Sequence, residues 1–403
     1  MNETMEKKIG IFSFFAGAGF LDLGFEKTGH FETLFMNEYH KAFADIYVAS
    51  RKNLGIAPPV FGYQVADITE NLINLNSIWL ADNLKEAKKS HDIVGFIGGP
   101  PCPDFSVAGK NRGQSGENGK LSGTFIELIC RNKPDFFLFE NVKGLYRTTK
   151  HREFFEAMKL KLINSGYYLT EKLINAIEFG APQDRDRIIL IGFQKNSLGD
   201  FGFKLNGTPL IKNFNWEKNT LFKADEVFKL NWPALEKFEE DSLKPIPSNI
   251  PIELTVEHWF KKNDVEQHPN RNHFFTPRAG LAKFKVIDEG DDLKKSYKRL
   301  HRWRYSPTAA YGNNEVHLHP YKARRISAAE ALAIQSLPKE FVIPDNITLT
   351  DMFKTIGNGV PYLAAKGLAE IIFDFIYNNP IKDLKTSHAE INSKQYCRIH
   401  QSA

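Results

Sequence analysis

Residues 8–25 read KIGIFSFFAGAGFLDLGF. Residues 8–15 carry β-branched and aromatic side chains with no charge after Lys8, which predicts a buried strand. The turn AGAGF follows, and then a helix through about Lys27. Closely spaced glycines after a strand let the backbone approach a ligand. Taken alone, this turn suits a dinucleotide site or a purely structural bend nearly as well. Lys7 and Lys8 before an apolar run also resemble the start of a signal peptide. The glycines, Asp22 and the amphipathic continuation argue against that.

Working outward, Phe31–Asn37 predicts a second strand and Ala42–Lys52 a helix. Val60–Asp67 leads to a further strand end. Asp92–Gly98 is a short apolar strand stopping at GGPPCP. Lys133–Phe139 repeats that pattern and stops at Glu140-Asn141. Arg187–Phe193 is another strand. Strands alternating with helices at this rhythm predict a doubly wound α/β sheet, mostly parallel, with ligands bound at the strands' carboxyl ends. Glu38 ends the second strand, where a carboxylate accepts hydrogen bonds from ribose hydroxyls. Asp67 and Ile68 end the third, where a carboxylate and an apolar side chain can read an adenine. Three such ends in order favour a nucleoside-bearing cofactor without saying which.

The chain has 403 residues, enough for two or three domains. Its net charge of +5 is compatible with nucleic-acid binding but does not argue for it. Distribution says more: Arg271–Arg304 holds ten Lys/Arg against four Asp/Glu, which predicts a local basic surface. Three cysteines, Cys102, Cys130 and Cys397, are too few for a disulfide framework and point to a reducing compartment. No apolar run reaches the length of a membrane span. After Ser197 the clean periods stop, and residues 198–305 are rich in aromatics and scattered prolines. A helical period returns over Ser327–Leu337 and again over Pro361–Tyr377. The expected organisation is a catalytic and cofactor-binding domain over 1–197 and a smaller target-recognition domain over 198–349. A segment at 350–378 returns to the first domain, and 379–403 is a polar tail.

Four further segments can carry chemistry. In GGPPCPDFS, Gly98–Ser106, Cys102 leaves a buried strand with prolines on both sides stiffening the backbone. The bland alternative is an inert buried cysteine, but this one sits in a Pro/Gly-rich strand exit. The loop AGKNRGQSGENGKL after it is glycine-rich and basic, as a lid over a polyanion would be. In FENV, Glu140 ends an apolar strand, where a carboxylate is costly unless it has a job or a partner; capping the next helix is the bland alternative. In FGAPQDRDRIIL, Arg185 and Arg187 stand two apart on an extended segment and share a face. A solvated ladder of ion pairs is equally open there. KTIGNGVP, Lys354–Pro361, is a second backbone-approach loop, uninformative by itself.

In this order the segments resemble the motifs of the cytosine-5 DNA methyltransferase family of bacterial restriction-modification type. The likeness covers about residues 8–197 and 306–375, and residues 306–337 resemble the family's segment before the last loop. The resemblance implies S-adenosyl-L-methionine as cofactor and a Rossmann-like methyltransferase fold. It places Phe15, Gly17, Ala18 and Phe20 against the methionine end of the cofactor. It gives the ribose to Glu38, the cover of the adenine to Tyr39, and contacts with the adenine to Asp67 and Ile68. Pro101 and Leu121 would flank cofactor and substrate, and Asn358 and Val360 would close the pocket. Cys102 would be the nucleophile, Glu140 would hold the cytosine edge, and Arg185 and Arg187 would support the pocket. The chain departs from the family at Ser13 (usually Asp), Phe20 (Gly), Pro103 (Gln) and Ala329 (Arg).

The resemblance further implies double-stranded DNA as the macromolecular partner, with the target cytosine flipped out of the helix. The unmatched residues 198–305 occupy the place of the family's variable target-recognition region. A compact bacterial modification enzyme, monomeric, cytoplasmic and nucleoid-associated, with a cognate restriction endonuclease as genetic partner and no membrane, is the expected setting. Three rivals remain: an RNA cytosine-5 methyltransferase, an inactive DNA-binding relative, and a nicotinamide-dependent oxidoreductase. The last lacks a clean GxGxxG and leaves Cys102, Glu140 and Asn358 unexplained.

Overall fold

The computed structural model describes residues 8–101, 117–146, 148–205, 207–277, 281–294, 297–309, 311, 316–380 and 382–384. Cys102 and the loop after it lie outside the described residues.

Seven strands form one sheet: β1 (Ile9–Phe14), β2 (Phe31–Glu38), β3 (Tyr63–Val65), β4 (Ile93–Gly98), β5 (Phe136–Val142), β6 (Tyr167–Asn175) and β7 (Asp186–Gln194). Their order is β3-β2-β1-β4-β5-β7-β6. The first five run parallel, and β7 is antiparallel to both β5 and β6. The sheet is therefore mostly parallel, as expected, with one reversed strand. The reversal has a simple cause: the connection from Ala176 to Arg185 is too short for a parallel crossover, so β7 must fold back on β6. β6 itself escaped the sequence pattern because Glu171 and Lys172 interrupt its apolar run on a half-exposed edge strand. β5 also runs further than its apolar pattern, through Glu140 to Val142, because β7 pairs with it as far as Arg187.

Between the strands lie α1 (Phe20–Glu26), α2 (Lys41–Asn53), α3 (Ser77–Ser90), α4 (Glu117–Asn132) and α5 (Thr149–Asn164). α6 (Lys195–Asp200) follows the sheet, and three short helices punctuate the middle of the chain: α7 (Ala224–Val227), α8 (Val256–Lys262) and α9 (Leu281–Lys285). α10 (Ala328–Ile334), α11 (Leu349–Asn358) and α12 (Tyr362–Phe373) close it. Alternation along β1 divides the core as strand geometry requires. Ile9 and Ile11 join α1, α12 and residues Leu198 to Phe214 on one face. Phe12 and Phe14 join α3, α4 and α5 on the other. A third apolar cluster joins Ala18 and Phe20 of the first turn to α8, α10 and α11. It ties residues 256–356 directly to the cofactor side of the sheet.

The middle of the chain is less basic at its surface than the residue count suggests. Arg299 is buried and donates to the carbonyls of Ile287, Phe284, His319 and Lys322. Arg302 is buried in a bidentate pair with Glu289 at 2.8 and 2.9 Å. Two of the ten cations thus hold the segment together and present no charge to a partner. Arg271, Lys283, Lys285 and Lys294 stay exposed.

Candidate active site

β1 has β2 on one side and β4 on the other, so the chain leaves it in opposite directions. In a doubly wound sheet the crevice beyond that switch point binds the ligand. The turn after β1 is left-handed at Phe15 (φ 53), Gly17 (φ 57) and Gly19 (φ 78). For a bulky residue such as Phe15 this conformation is strained, by about 1–3 kcal/mol, and strain of that kind gathers at binding sites. A Cβ built on Gly17 would meet nothing within 4 Å, so the backbone there faces open space. The amide of Gly17 donates to Glu38 Oε2 at 2.8 Å and that of His40 to Oε1 at 2.7 Å. Glu38 is thereby fixed at the end of β2. Burial pushes its carboxyl up from the ordinary range, and the two amides oppose that.

β3 ends at Val65, two residues earlier than expected, and Asp67 lies in the connection beyond. Its Oδ1 accepts from the amides of Thr69 (2.8 Å) and Glu70 (3.0 Å), which orients the carboxylate. Ile68 is buried beside it, and Tyr39 is 72% exposed at the rim. An open glycine backbone, a fixed carboxylate one strand away, a second carboxylate beside an apolar side chain and a free aromatic ring suit a nucleoside carrying a short charged tail. S-adenosylmethionine has that chemistry.

The far end of the chain reaches the same turn. A Cβ on Gly359 would lie 2.2 Å from the ring of Phe20, which also packs edge-on against Phe341 at 5.2 Å. Phe20 can be large because residue 359 has no side chain. Its ring is buried in the third cluster, so only its backbone is left to face a ligand. Ala18 and Val360 are buried, and Asn358 is exposed at the end of α11.

On the other side of β1, Gly98 and Gly99 leave β4 toward Cys102. A Cβ at Gly99 would sit 2.6 Å from Glu140 Oε2, so the carboxylate lies directly over that loop. Arg187 Nε holds the opposite oxygen, Oε1, at 2.7 Å. Asn141 Nδ2 donates to the carbonyl of Pro100 at 3.4 Å, clamping the same loop. Pro101 is exposed, and Leu121 is half-buried against the apolar cluster of α4.

Arg185 does not share the cleft with Arg187. It is 1% exposed and donates to Gln183 Oε1 (3.4 Å), Ala309 O (3.1 Å) and Gly357 O (2.8 Å). Burial, and the nearby charge of Arg187, hold its pKa well below the usual guanidinium range. It is a strut between the start of β7 and the end of α11 that carries Asn358. Gln183 and Gln335 complete that strut. Gln183 Nε2 donates to Gln335 Oε1 at 3.2 Å, and Gln335 Nε2 reaches the carbonyls of Ile356 and Gly359 (3.5 Å to the latter). Nothing in the sequence weighs these two glutamines, because a buried amide has no periodic or spacing signature. The absence of Arg at 329 is also resolved: Glu330 takes Arg324 instead, at 2.7 and 2.9 Å, while capping α10 with Ser327.

Fold and cleft together define a doubly wound α/β enzyme built for a nucleoside-bearing cofactor, with a carboxylate–arginine pair where the second reactant would lie. Comparison with known proteins makes the class specific. The profile of the C-5 cytosine-specific DNA methylase family matches residues 9–374. The chain is 57% identical over 373 residues to the Type II methyltransferase M.NmeDI of Neisseria meningitidis serogroup C, covering 93% of this chain and 85% of that protein. It is 30% identical over 374 residues to the Type II methyltransferase M.MthTI of Methanothermobacter thermautotrophicus, covering 90% and 96%. A solved DNA modification methyltransferase of an Escherichia coli prophage shares the fold at a TM-score of 0.61 and 19% identity, over 92% of this chain and all of that one. The Dnmt2 methyltransferase of S. pombe shares it at 0.56 and 13%, over 92% and all of that chain.

The chain belongs to the C-5 cytosine-specific DNA methylase family. It is an S-adenosylmethionine-dependent enzyme that methylates carbon 5 of cytosine in DNA. No helix among the described residues is long and apolar enough to cross a membrane.

Proposed function

We propose that Cys102 is the nucleophile of this reaction and that Glu140, held by Arg187, is the group that activates the base. The observation that carries this reading is the Glu140 carboxylate lying over Gly99, three residues before Cys102 in sequence, with Arg187 fixing its far oxygen.

Cytosine is a poor nucleophile at carbon 5, because its ring is aromatic and neutral. Addition of the Cys102 thiolate to carbon 6 makes carbon 5 enamine-like. Glu140 shares a proton with ring nitrogen 3, stabilising the charge that develops there. Arg187 keeps the carboxylate in that orientation. Once carbon 5 carries the methyl group, loss of its proton and departure of the thiolate restore the aromatic ring. When bound, S-adenosylmethionine supplies an electrophilic methyl group. Phe15, Gly17 and Ala18 hold its methionine end, Glu38 its ribose, and Tyr39, Asp67 and Ile68 its adenine. Pro101, Leu121, Asn358 and Val360 shape the rest of that pocket, and Phe20 and Arg185 support it from behind.

The substrate is duplex DNA, with the target base extruded at a cost of a few kcal/mol. Residues 198–349 serve target recognition, with phosphate contacts from the exposed cations of 271–304, so binding weakens steeply with salt. Residues 1–197 form the catalytic part, and 350–378 return to it. The setting is a monomeric cytoplasmic modification enzyme paired with a restriction endonuclease; the Type II methyltransferase names of the relatives support the modification role. Bisulfite sequencing of host DNA with and without the gene tests the reading. One fully protected sequence motif is expected; an unchanged cytosine pattern overturns it.

A further inference from the structure

Beneath the glycine turn lies a buried charged cluster that the reaction itself does not use. Arg51, in the last turn of α2, is 1% exposed. Its Nη2 donates to the carbonyl of Gly19 at 2.7 Å and to Glu26 Oε2 at 3.2 Å. Its Nη1 donates to the carbonyl of Ala18 at 3.3 Å. The guanidinium lies 3.9 Å above the Tyr47 ring, also fully buried. One turn before Glu26 on the same face of α1, Asp22 is wholly buried and accepts from Ser13 Oγ at 2.8 Å. Ser13 stands on β1, on the face opposite Phe12 and Phe14.

The turn is pressed onto this cluster. A Cβ at Gly19 would sit 2.4 Å from Arg51 Nη1 and 2.5 Å from the Tyr47 ring. Glycine is therefore required at 19 on two counts, its φ of 78 and the side chains beneath it. A buried guanidinium is expensive unless its donors are satisfied. Here two go to carbonyls of the very residues that border the open space above Gly17.

We propose that Arg51 is the positioning residue of the cofactor turn, fixing the Ala18 and Gly19 carbonyls from below so that the turn keeps the open space above Gly17 in the shape the cofactor needs. Glu26 anchors the guanidinium, the charge of Asp22 acts on it from nearby, and Tyr47 sets its plane. The inference rests on the proposed assignment of this turn to the methionine end of S-adenosylmethionine.

The test is calorimetric binding of S-adenosylmethionine to full-length R51M, R51K and Y47F, with DNA affinity measured without cofactor and with turnover at saturating cofactor. R51M is expected to weaken the cofactor about tenfold or more, since two charge-assisted hydrogen bonds are lost. R51K keeps the charge between Asp22 and Glu26 but cannot reach both carbonyls, so an intermediate loss of about threefold to tenfold is expected. Y47F keeps the ring under the guanidinium and should bind within about twofold of the parent. DNA affinity should be unchanged in all three, and kcat at saturating cofactor should be largely restored in R51K. If R51M does not fold, R51K decides alone. Cofactor affinity in R51K equal to the parent, or cofactor and DNA affinity falling together, overturns the proposal. Failure of the parent protein itself to bind S-adenosylmethionine would instead overturn the assignment of the turn.

Discussion

Arg187 Nε lies 2.7 Å from Glu140 Oε1, and the other oxygen of that carboxylate faces Gly99 at the exit of β4. The pair spans β5 and β7, which lie side by side in antiparallel register with Arg187 opposite Val142. A carboxylate at a strand end is thus kept in one orientation by a cation from a segment more than forty residues away in sequence, and its free oxygen points at the loop leading to Cys102.

Replacing that carboxylate by its amide keeps its shape and removes its charge. E140Q is expected to lower the single-turnover methyl-transfer rate by about a hundredfold to a thousandfold, as removal of one preorganised group at a developing charge does. Cofactor affinity should change little. Equal rates for E140Q and the parent would remove Glu140 from the mechanism.

Glu38 accepts two backbone amides and still faces the crevice. In E38Q the amide group must turn one N–H toward a backbone N–H. S-adenosylmethionine affinity should fall about tenfold, with DNA affinity unaffected, as titration calorimetry would show. Unaltered cofactor binding would move the ribose away from Glu38.

Arg185 is judged structural by its partners, and its replacement tests stability. A single ammonium in R185K cannot serve both Ala309 O and Gly357 O, 2.8 to 3.1 Å from the guanidinium nitrogens. Unfolding free energy should fall by about 1–3 kcal/mol for the carbonyl left without a partner. Denaturant midpoints measure this, and an unchanged midpoint would contradict it.

Most of the sheet is legible in the sequence alone. The apolar runs at 9–14 and 93–98 are buried on both faces, and such strands announce themselves by composition. β6 did not, because its two charges sit on an exposed edge. The reversal of β7 was hidden because direction is set by the length of a connection, and composition says nothing of it. Glu38 and Glu140 could be singled out because a carboxylate on an apolar strand is costly, and Asp67 because it follows one closely. Gln183, Gln335 and Arg51 could not. Arg51 ends a helix in the pattern of a solvated, dipole-compensating cation, and only the fold turns it inward under Gly19.

Acid stability offers an independent check on the packing of residues 316–330. Burial, assisted by the charges of Lys298 and Arg325, depresses the pKa of His317 from 6.5 to about 3. The folded state therefore stays unprotonated where the unfolded chain takes up a proton. Stability from this site is complete above pH 6.5 and is lost as pH falls toward 3, with a slope of roughly 1.4 kcal/mol per pH unit. H317N should flatten that part of the stability profile. An identical acid limb in parent and variant would show that His317 titrates normally.

The most direct measurement uses duplex DNA whose target cytosine carries fluorine at carbon 5. Addition of a thiolate to carbon 6 and methylation can proceed, but no proton remains at carbon 5 to leave, so the protein–DNA bond persists. The account predicts a denaturation-resistant adduct, dependent on S-adenosylmethionine, that peptide mass spectrometry locates at Cys102 and that C102S cannot form. Methyl transfer by C102S at the parent rate, or an adduct on another residue, would contradict it.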